Sequence, residues 1–410
     1  MFTFFLILFS ILLVLYYQFF KNKMYNPIFL FSTYWLVFVI SAMIFSEVFD
    51  YYYYYEGFLI IVLYVLMFTL GGVITLFKPV TKGKEKYFFK VNNLRKVVLF
   101  LSILGAGAIF VILRSQGFGI QMLFNLSNFF EMANTISIER YDNTLNLPLS
   151  YKIFSIFIYS GVVFSAILFM YKERKKDYLL SFFPLTLALV NAMINGARAG
   201  LLMAILLFIS TVISVVKLKN IKISLMNVVK NLTVVIFFFL FILVFIQFLR
   251  GGKEDQELMP IVKHMMGYLF GSLNCFTMWW ETAEITNDLG LGKYTFSGIH
   301  NMIFGGREVG LYSKSLLISK DGIESNVYTI FRATIDDFSL LGSFGIFIML
   351  GNIGANSYRK IKENSNHIIT LSTLYFVVFW SFITNPLTYN TLLLSCVLNY
   401  FIIKFVVKKC

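Results

Sequence analysis

Eleven apolar stretches, each near the roughly 20 residues that a helix needs to cross a bilayer, follow one another along the chain. They lie at 2–20, 28–46, 57–77, 96–114, 153–171, 178–194, 199–216, 231–249, 340–356, 368–384 and 388–405. A soluble domain carries roughly 45–50% apolar and about 25% charged residues, whereas this 410-residue chain is 58% apolar and 14% charged. Within lipid each backbone N–H and C=O must be satisfied inside its own segment, which a helix achieves. The reading is therefore an all-α, polytopic transmembrane helix bundle of about eleven spans, a single integral membrane domain over 1–410. The first stretch, Phe2–Phe20, has no basic flank before it and is too long for the core of a cleaved leader, so it is expected to remain as a helix.

The lysines and arginines order these spans. They sit in short clusters between apolar runs and form no continuous basic domain, so the net charge of +14 implies no nucleic-acid partner. Every second connection is the basic one: Lys21/Lys23, the seven from Lys78 to Lys96, the four in 172–176, the four from Lys217 to Lys230, Arg359/Lys360/Lys362, and the tail Lys404/Lys408/Lys409. The positive-inside rule puts that set in the cytoplasm. The N-terminus is then outside, the C-terminus cytoplasmic, and the 90 residues of 250–339 form one large outer loop. Inside lie 23 basic and 4 acidic residues, outside 12 basic and 17 acidic. The shorter apolar run Met265–Trp280 contains Ser272 and Asn274. A crossing there would reverse the last two basic clusters, so a re-entrant or interfacial helix is expected.

Arginine is distributed unevenly between the faces: three of the 23 inner basic residues and six of the 12 outer ones. Lysine serves equally well as a topology charge, whereas the planar guanidinium suits bidentate grip on carboxylate or phosphate. An anion-binding outer face is one reading; structural pairing with Asp and Glu is the other. Arg198 stands in the hairpin Asn195-Gly-Ala-Arg-Ala-Gly200, too short to lift it clear of the membrane edge. There it falls in the first turn of the seventh span, where free N–H groups and the positive helix end suit a phosphate oxygen. A snorkelling charge is the alternative. Arg250 ends the eighth span in Gln247-Phe-Leu-Arg-Gly-Gly252, either as an anion contact or as a charge meeting the helix C-terminus.

Within the loop, Gly305-Gly-Arg307-Glu308 has the form of a phosphate-contacting turn. His300 and His264 are its histidines, the groups whose ordinary pKa suits proton transfer near neutrality. The loop closes in Asn326-Val-Tyr-Thr329-Ile-Phe-Arg332-Ala-Thr-Ile-Asp336-Asp337-Phe-Ser-Leu-Leu-Gly342, where Asp336 and Asp337 are candidate catalytic carboxylates or caps of the following helix. The run Tyr51–Tyr55 is an aromatic belt or a set of faces for sugar rings. Cys275, Cys396 and Cys410 lie far apart, so no disulfide framework, zinc or iron–sulfur centre is expected.

The order of these parts resembles the oligosaccharide repeat-unit polymerases, the O-antigen polymerase-like family. Carrying the resemblance are NGARAG in a short outer hairpin, FLRGG opening a large outer loop, and NVYT with DDFSLLG closing it. Many of those polymerases read Asp-Phe-Gly in the closing motif; here Ser339 replaces that glycine and Gly342 is kept. The resemblance implies a glycosyltransferase of the bacterial cytoplasmic (inner) membrane that moves a glycan from undecaprenyl diphosphate to the terminal sugar of another lipid-linked repeat unit. Such chains become O-antigen, capsule or exopolysaccharide. Arg198, Arg250, Arg307 and Arg332 would stabilise the diphosphate charge, and His300, Asp336 or Asp337 would take the proton of the attacking hydroxyl. A chain-length regulator and a flippase in the same membrane are the partners it implies. No paired DxD motif lies in the loop, so a metal-free reaction without cofactor is expected. An O-antigen ligase would share most of this pattern. A lipid-linked oligosaccharide flippase would need charges along its spans, and almost none are there.

Overall fold

Helix is where these apolar runs lead, because a run of 20 lipid-facing residues has no partner for its backbone except itself. The structure, a computed structural model, describes residues 1–20, 25–76, 87–141, 147–195, 198–221, 258–282, 289–304, 312 and 315–409. Its helices are α1 (Phe2–Phe20), α2 (Pro27–Val48), α3 (Tyr55–Leu76), α4 (Val91–Ser115), α5 (Leu126–Tyr141), α6 (Leu149–Tyr171) and α7 (Lys175–Ile194). They continue with α8 (Arg198–Leu218), α9 (Leu258–Thr282), α10 (Ser297–Phe304), α11 (Ile330–Lys360), α12 (Asn366–Trp380) and α13 (Asn390–Val406).

Eight of them, α1–α4, α6–α8 and α11, are long and apolar enough to cross a membrane, and α12 and α13 are shorter apolar helices. The protein is a multi-pass helical membrane protein. The expected span 231–249 lies outside the described residues. Strands are few: β1 (Tyr87–Phe89) pairs antiparallel with β4 (Val407–Lys409), and β2 (Leu316–Leu317) with β3 (Glu324–Ser325). The expected short re-entrant helix at 265–280 is longer, running through the 25 residues of α9.

The chain packs as two compact units. One comprises 1–84, 256–361 and 373–390; the other comprises 85–255, 362–372 and 391–410. In the second, α4, α6, α7 and α8 pack together and α5 lies on α7. Arg95 there binds Asp177 at 2.8 Å and Glu173 at 2.9 Å. The Asp177 carboxylate also accepts the backbone N–H groups of Glu173 and Arg174, both at 2.9 Å. Arg95 therefore organises a helix start.

In the first unit α3 runs along α11, with α2 and α9 against them. Small residues permit the approach: a Cβ on Gly71 would collide with the Ile348 carbonyl, and one on Gly351 with the Phe68 carbonyl. Close backbone approach at small residues drives helix association where no hydrophobic effect operates. An aromatic cluster fills the space beside it. Phe331, at the start of α11, lies 4.4 Å from Tyr64, 4.6 Å from Trp35 and 5.3 Å from Phe347 between ring centroids. Trp35 Nε1 donates to Ser381 Oγ at 3.1 Å, which satisfies the indole inside the core.

The sequence places the ninth span at 340–356, whereas α11 starts ten residues earlier, with Thr329 at the N-cap position and no side-chain hydrogen bond from it to the first turn. Ser339, at φ 62° and ψ 174°, breaks it into 330–338 and 340–360. That conformation belongs almost entirely to glycine and costs another residue about 1–3 kcal/mol. Ser339 Oγ recovers part of this by accepting the Gly342 N–H at 3.5 Å, as a capping serine does at a helix start. Ser339→Gly is expected to stabilise the fold by about 1 kcal/mol, the strain relieved less the lost cap and the added chain entropy. The thermal melt of the purified variant checks this, and an unchanged or lowered midpoint contradicts it.

Candidate functional site

The first segment of α11 carries Arg332 and Asp336 four residues apart, which sets both side chains on one face of the helix. Arg332 Nε lies 3.5 Å from Asp336 Oδ2, and the two side chains are 16% and 22% exposed. The Tyr312 hydroxyl donates to the same carboxylate oxygen at 2.9 Å. Rings cover the guanidinium, whose carbon sits 3.7 Å from the centroid of Tyr312, 4.0 Å from Tyr328 and 5.0 Å from Trp279. Tyr328 meets Tyr312 edge-on at 5.0 Å, and Tyr294 stacks on Tyr312 at 5.9 Å. Burial, and then the Asp336 carboxylate beside it, hold the Tyr312 phenol well above its ordinary range. Tyr312 thus stays protonated and donates. With aromatic faces on the guanidinium, only its edge is left for hydrogen bonding, which fits a planar grip on an oxyanion better than lysine would.

Asp337 has a different place. It is fully buried, and its two oxygens accept the backbone N–H groups of Tyr294 at 3.1 Å and Thr295 at 2.5 Å. The carbonyls of Asp336 and Asp337 accept from Gly290 at 3.0 Å and Leu291 at 3.2 Å. Asn385 Nδ2 then binds the Thr295 carbonyl at 3.2 Å. Neither aspartate caps the start of its own helix, which Thr329 occupies. Asp337 instead anchors the turn at 290–296, while Asp336 shares its carboxylate with Arg332 and Tyr312.

Among the described residues His300 stands apart from this group. It lies on α10, packs on the Phe304 ring at 4.8 Å, and has a buried Nδ1 with no hydrogen-bond partner. Arg198 is the first residue of α8, as the hairpin spacing implied. Arg250 and Arg307 lie outside the described residues. The structure thus brings Arg332 and Asp336 together and adds Tyr312, Tyr328 and Trp279, which the sequence reading did not single out. Tyr328 was reachable from the sequence, being four residues before Arg332; Tyr312 and Trp279 come from distant segments with no motif to mark them.

Comparison with known protein families, with curated proteins and with solved structures found no match.

Proposed function

We propose that this protein polymerises lipid-linked oligosaccharide repeat units at the outer face of the bacterial cytoplasmic membrane. The observation that carries the reading is the Arg332–Asp336–Tyr312 cluster, a ring-covered guanidinium beside a half-buried carboxylate, in a chain where six of the 12 basic residues assigned to the outer face are arginine against three of the 23 assigned to the inner face. In the reaction a hydroxyl of the acceptor's terminal sugar attacks the anomeric carbon of the donor glycan. The bond from that carbon to the diphosphate oxygen breaks, and undecaprenyl diphosphate leaves with the electron pair. Arg332 stabilises the charge that develops on the diphosphate. Asp336 accepts the hydroxyl proton, with Tyr312 holding the carboxylate in place. Arg198, Arg250 and Arg307 are assigned to anionic substrate on the sequence grounds given above, and His300 is the second candidate proton acceptor.

Gene deletion tests the reaction class. Cells lacking the protein are expected to export single repeat units but to lose the ladder of long chains on a glycan gel. Long polymer trapped on its lipid carrier would mean a ligase, and units held on the cytoplasmic face would mean a flippase.

Orientation has its own test. In a variant with the three native cysteines replaced by serine, cysteine at the exposed position Glu324 is expected to react with a membrane-impermeant thiol reagent in intact cells. Cysteine at the exposed position Lys176 is expected to react only after lysis. The reverse pattern would invert the topology and move the cluster to the cytoplasmic side.

A further inference from the structure

The tyrosine run 51–55 that leads from α2 into α3 borders a cleft of about 180 Å³ in the first unit, lined by Glu47, Asp50, Tyr51, Tyr52, Tyr53 and Lys320 among others. An aromatic belt needs rings at the right depth and nothing more. Here two carboxylates and an ammonium converge on the same space. We propose that this cleft binds a single uncharged sugar ring of the glycan, with Tyr52 as its stacking face and Glu47, Asp50 and Lys320 as its hydrogen-bonding rim. The choice of a glycan as occupant rests on the polymerase reading; the chemistry of the cleft stands on its own.

Four observations support the assignment. The first is size: at roughly 30 Å³ per water, the space is worth about six waters, on the scale of a single sugar ring. Second, the lining sets a tyrosine face beside charged groups able to hydrogen-bond, which together offer a surface for a ring's C–H face and partners for its hydroxyls. Tyr52 is 39% exposed, so its ring remains open to stacking. Third, the cleft is built on a rigid base. Asp50 holds a left-handed backbone at φ 54°, Tyr51 N–H donates to the Ser46 carbonyl, and Tyr52 N–H donates to the Ile318 carbonyl, both at 2.9 Å. Tyr51 also bridges to Ser319. Asn274 Nδ2 donates to the Tyr52 carbonyl and to Ser46 Oγ, both at 2.8 Å.

The fourth observation is charge. Lys320 Nζ meets Asp50 Oδ1 at 3.1 Å, but both side chains are about two-thirds exposed, at 65% and 66%. So exposed a pair adds little stability and leaves further donors and acceptors free for ligand hydroxyls. The Tyr53 hydroxyl donates to Glu47, which fixes that carboxylate without neutralising it. Burial, and then the nearby Asp321 carboxylate, push the Tyr51 phenol up to about 12, so it stays protonated. With Glu47 and Asp50 against Lys320, the rim is net acidic. It therefore disfavours a phosphate or uronate and accepts neutral hydroxyls.

The experiment is saturation-transfer-difference NMR on the full-length protein in phosphatidylcholine nanodiscs, whose lipids carry no sugar headgroup. The probes are methyl α-glucopyranoside, N-acetylglucosamine and glucuronate. Transfer is expected to at least one of the two uncharged probes and to be at least fivefold weaker for glucuronate. Tyr52→Ala and Lys320→Met should each weaken binding about tenfold, Tyr52→Trp should keep it, and Tyr54→Ala, outside the cleft, should leave it unchanged. A thermal melt confirms that each variant is folded, and Lys320→Met serves alone if Tyr52→Ala is not. No transfer to either uncharged probe, equal binding of glucuronate, or equal losses at Tyr52 and Tyr54 would overturn the proposal. These outcomes are separate from the polymerase test: a deletion strain that keeps its long chains leaves sugar binding standing, and a lost ladder with no transfer refutes the cleft alone.

Discussion

Arg332→Lys is expected to lower chain polymerisation by about ten- to a hundredfold while the protein accumulates normally in the membrane. Lysine keeps the positive charge but has neither the planar fork nor the flat face that lies 3.7 Å from the Tyr312 ring and 4.0 Å from the Tyr328 ring. A hydrogen bond to a charged group contributes roughly 1.5–3 kcal/mol, and losing one only in the transition state slows the reaction tenfold for each 1.36 kcal/mol or so. Arg198→Lys is expected to act in the same direction, since a charge serving topology or snorkelling alone would tolerate the exchange. The control is Lys176→Arg, at an exposed position in the basic 172–176 cluster, which should change nothing. The measurement is the chain-length ladder of complemented deletion cells, alongside immunoblotting of the membranes. Full-length chains from Arg332→Lys would reduce the cluster to a structural pair.

The adjacent aspartates are expected to separate into two phenotypes. Asp337→Asn should destabilise the protein by about 3 kcal/mol, because asparagine offers one acceptor oxygen to the two backbone N–H groups of Tyr294 and Thr295 and turns a donor toward the other. Charged hydrogen bonds of roughly 1.5–3 kcal/mol each are at stake, together with the cost of a buried unsatisfied donor. Its signature is a fall in yield and in thermal midpoint. Asp336→Asn should leave the midpoint nearly unchanged, since that side chain is 22% exposed and anchors no backbone turn. Chain growth should instead fall by about two or more powers of ten, the usual contribution of a positioned general base. The opposite pattern, a silent Asp336→Asn and a stable but inactive Asp337→Asn, would exchange the two roles.

Why these neighbours differ is a matter of helix geometry that the motif alone does not reveal. Consecutive residues on a helix point about 100° apart, so Asp336 joins Arg332 on one face and Asp337 turns toward the 290–296 segment. Hydropathy begins this helix at 340, which leaves both aspartates open as catalytic carboxylates or as caps. The helix starts instead at Ile330 and tolerates a break at Ser339. A break of that kind depends on a backbone conformation, and hydropathy carries no record of it.

Hydropathy was enough for the helical membrane class, because a bilayer imposes one length and one backbone solution on every span. Residue type also marked Arg332 and Asp336, since their i, i+4 spacing is a property of the chain alone. What only the tertiary structure decided is which distant side chains meet them. Tyr312 and Trp279 reach Arg332, and Lys320 reaches Asp50 across 270 positions. Contacts at such separations depend on how helices pack, and packing depends on steric detail such as the collision a Cβ would make at Gly71. A single sequence lists the residues able to make such contacts; the folded backbone selects the ones that do.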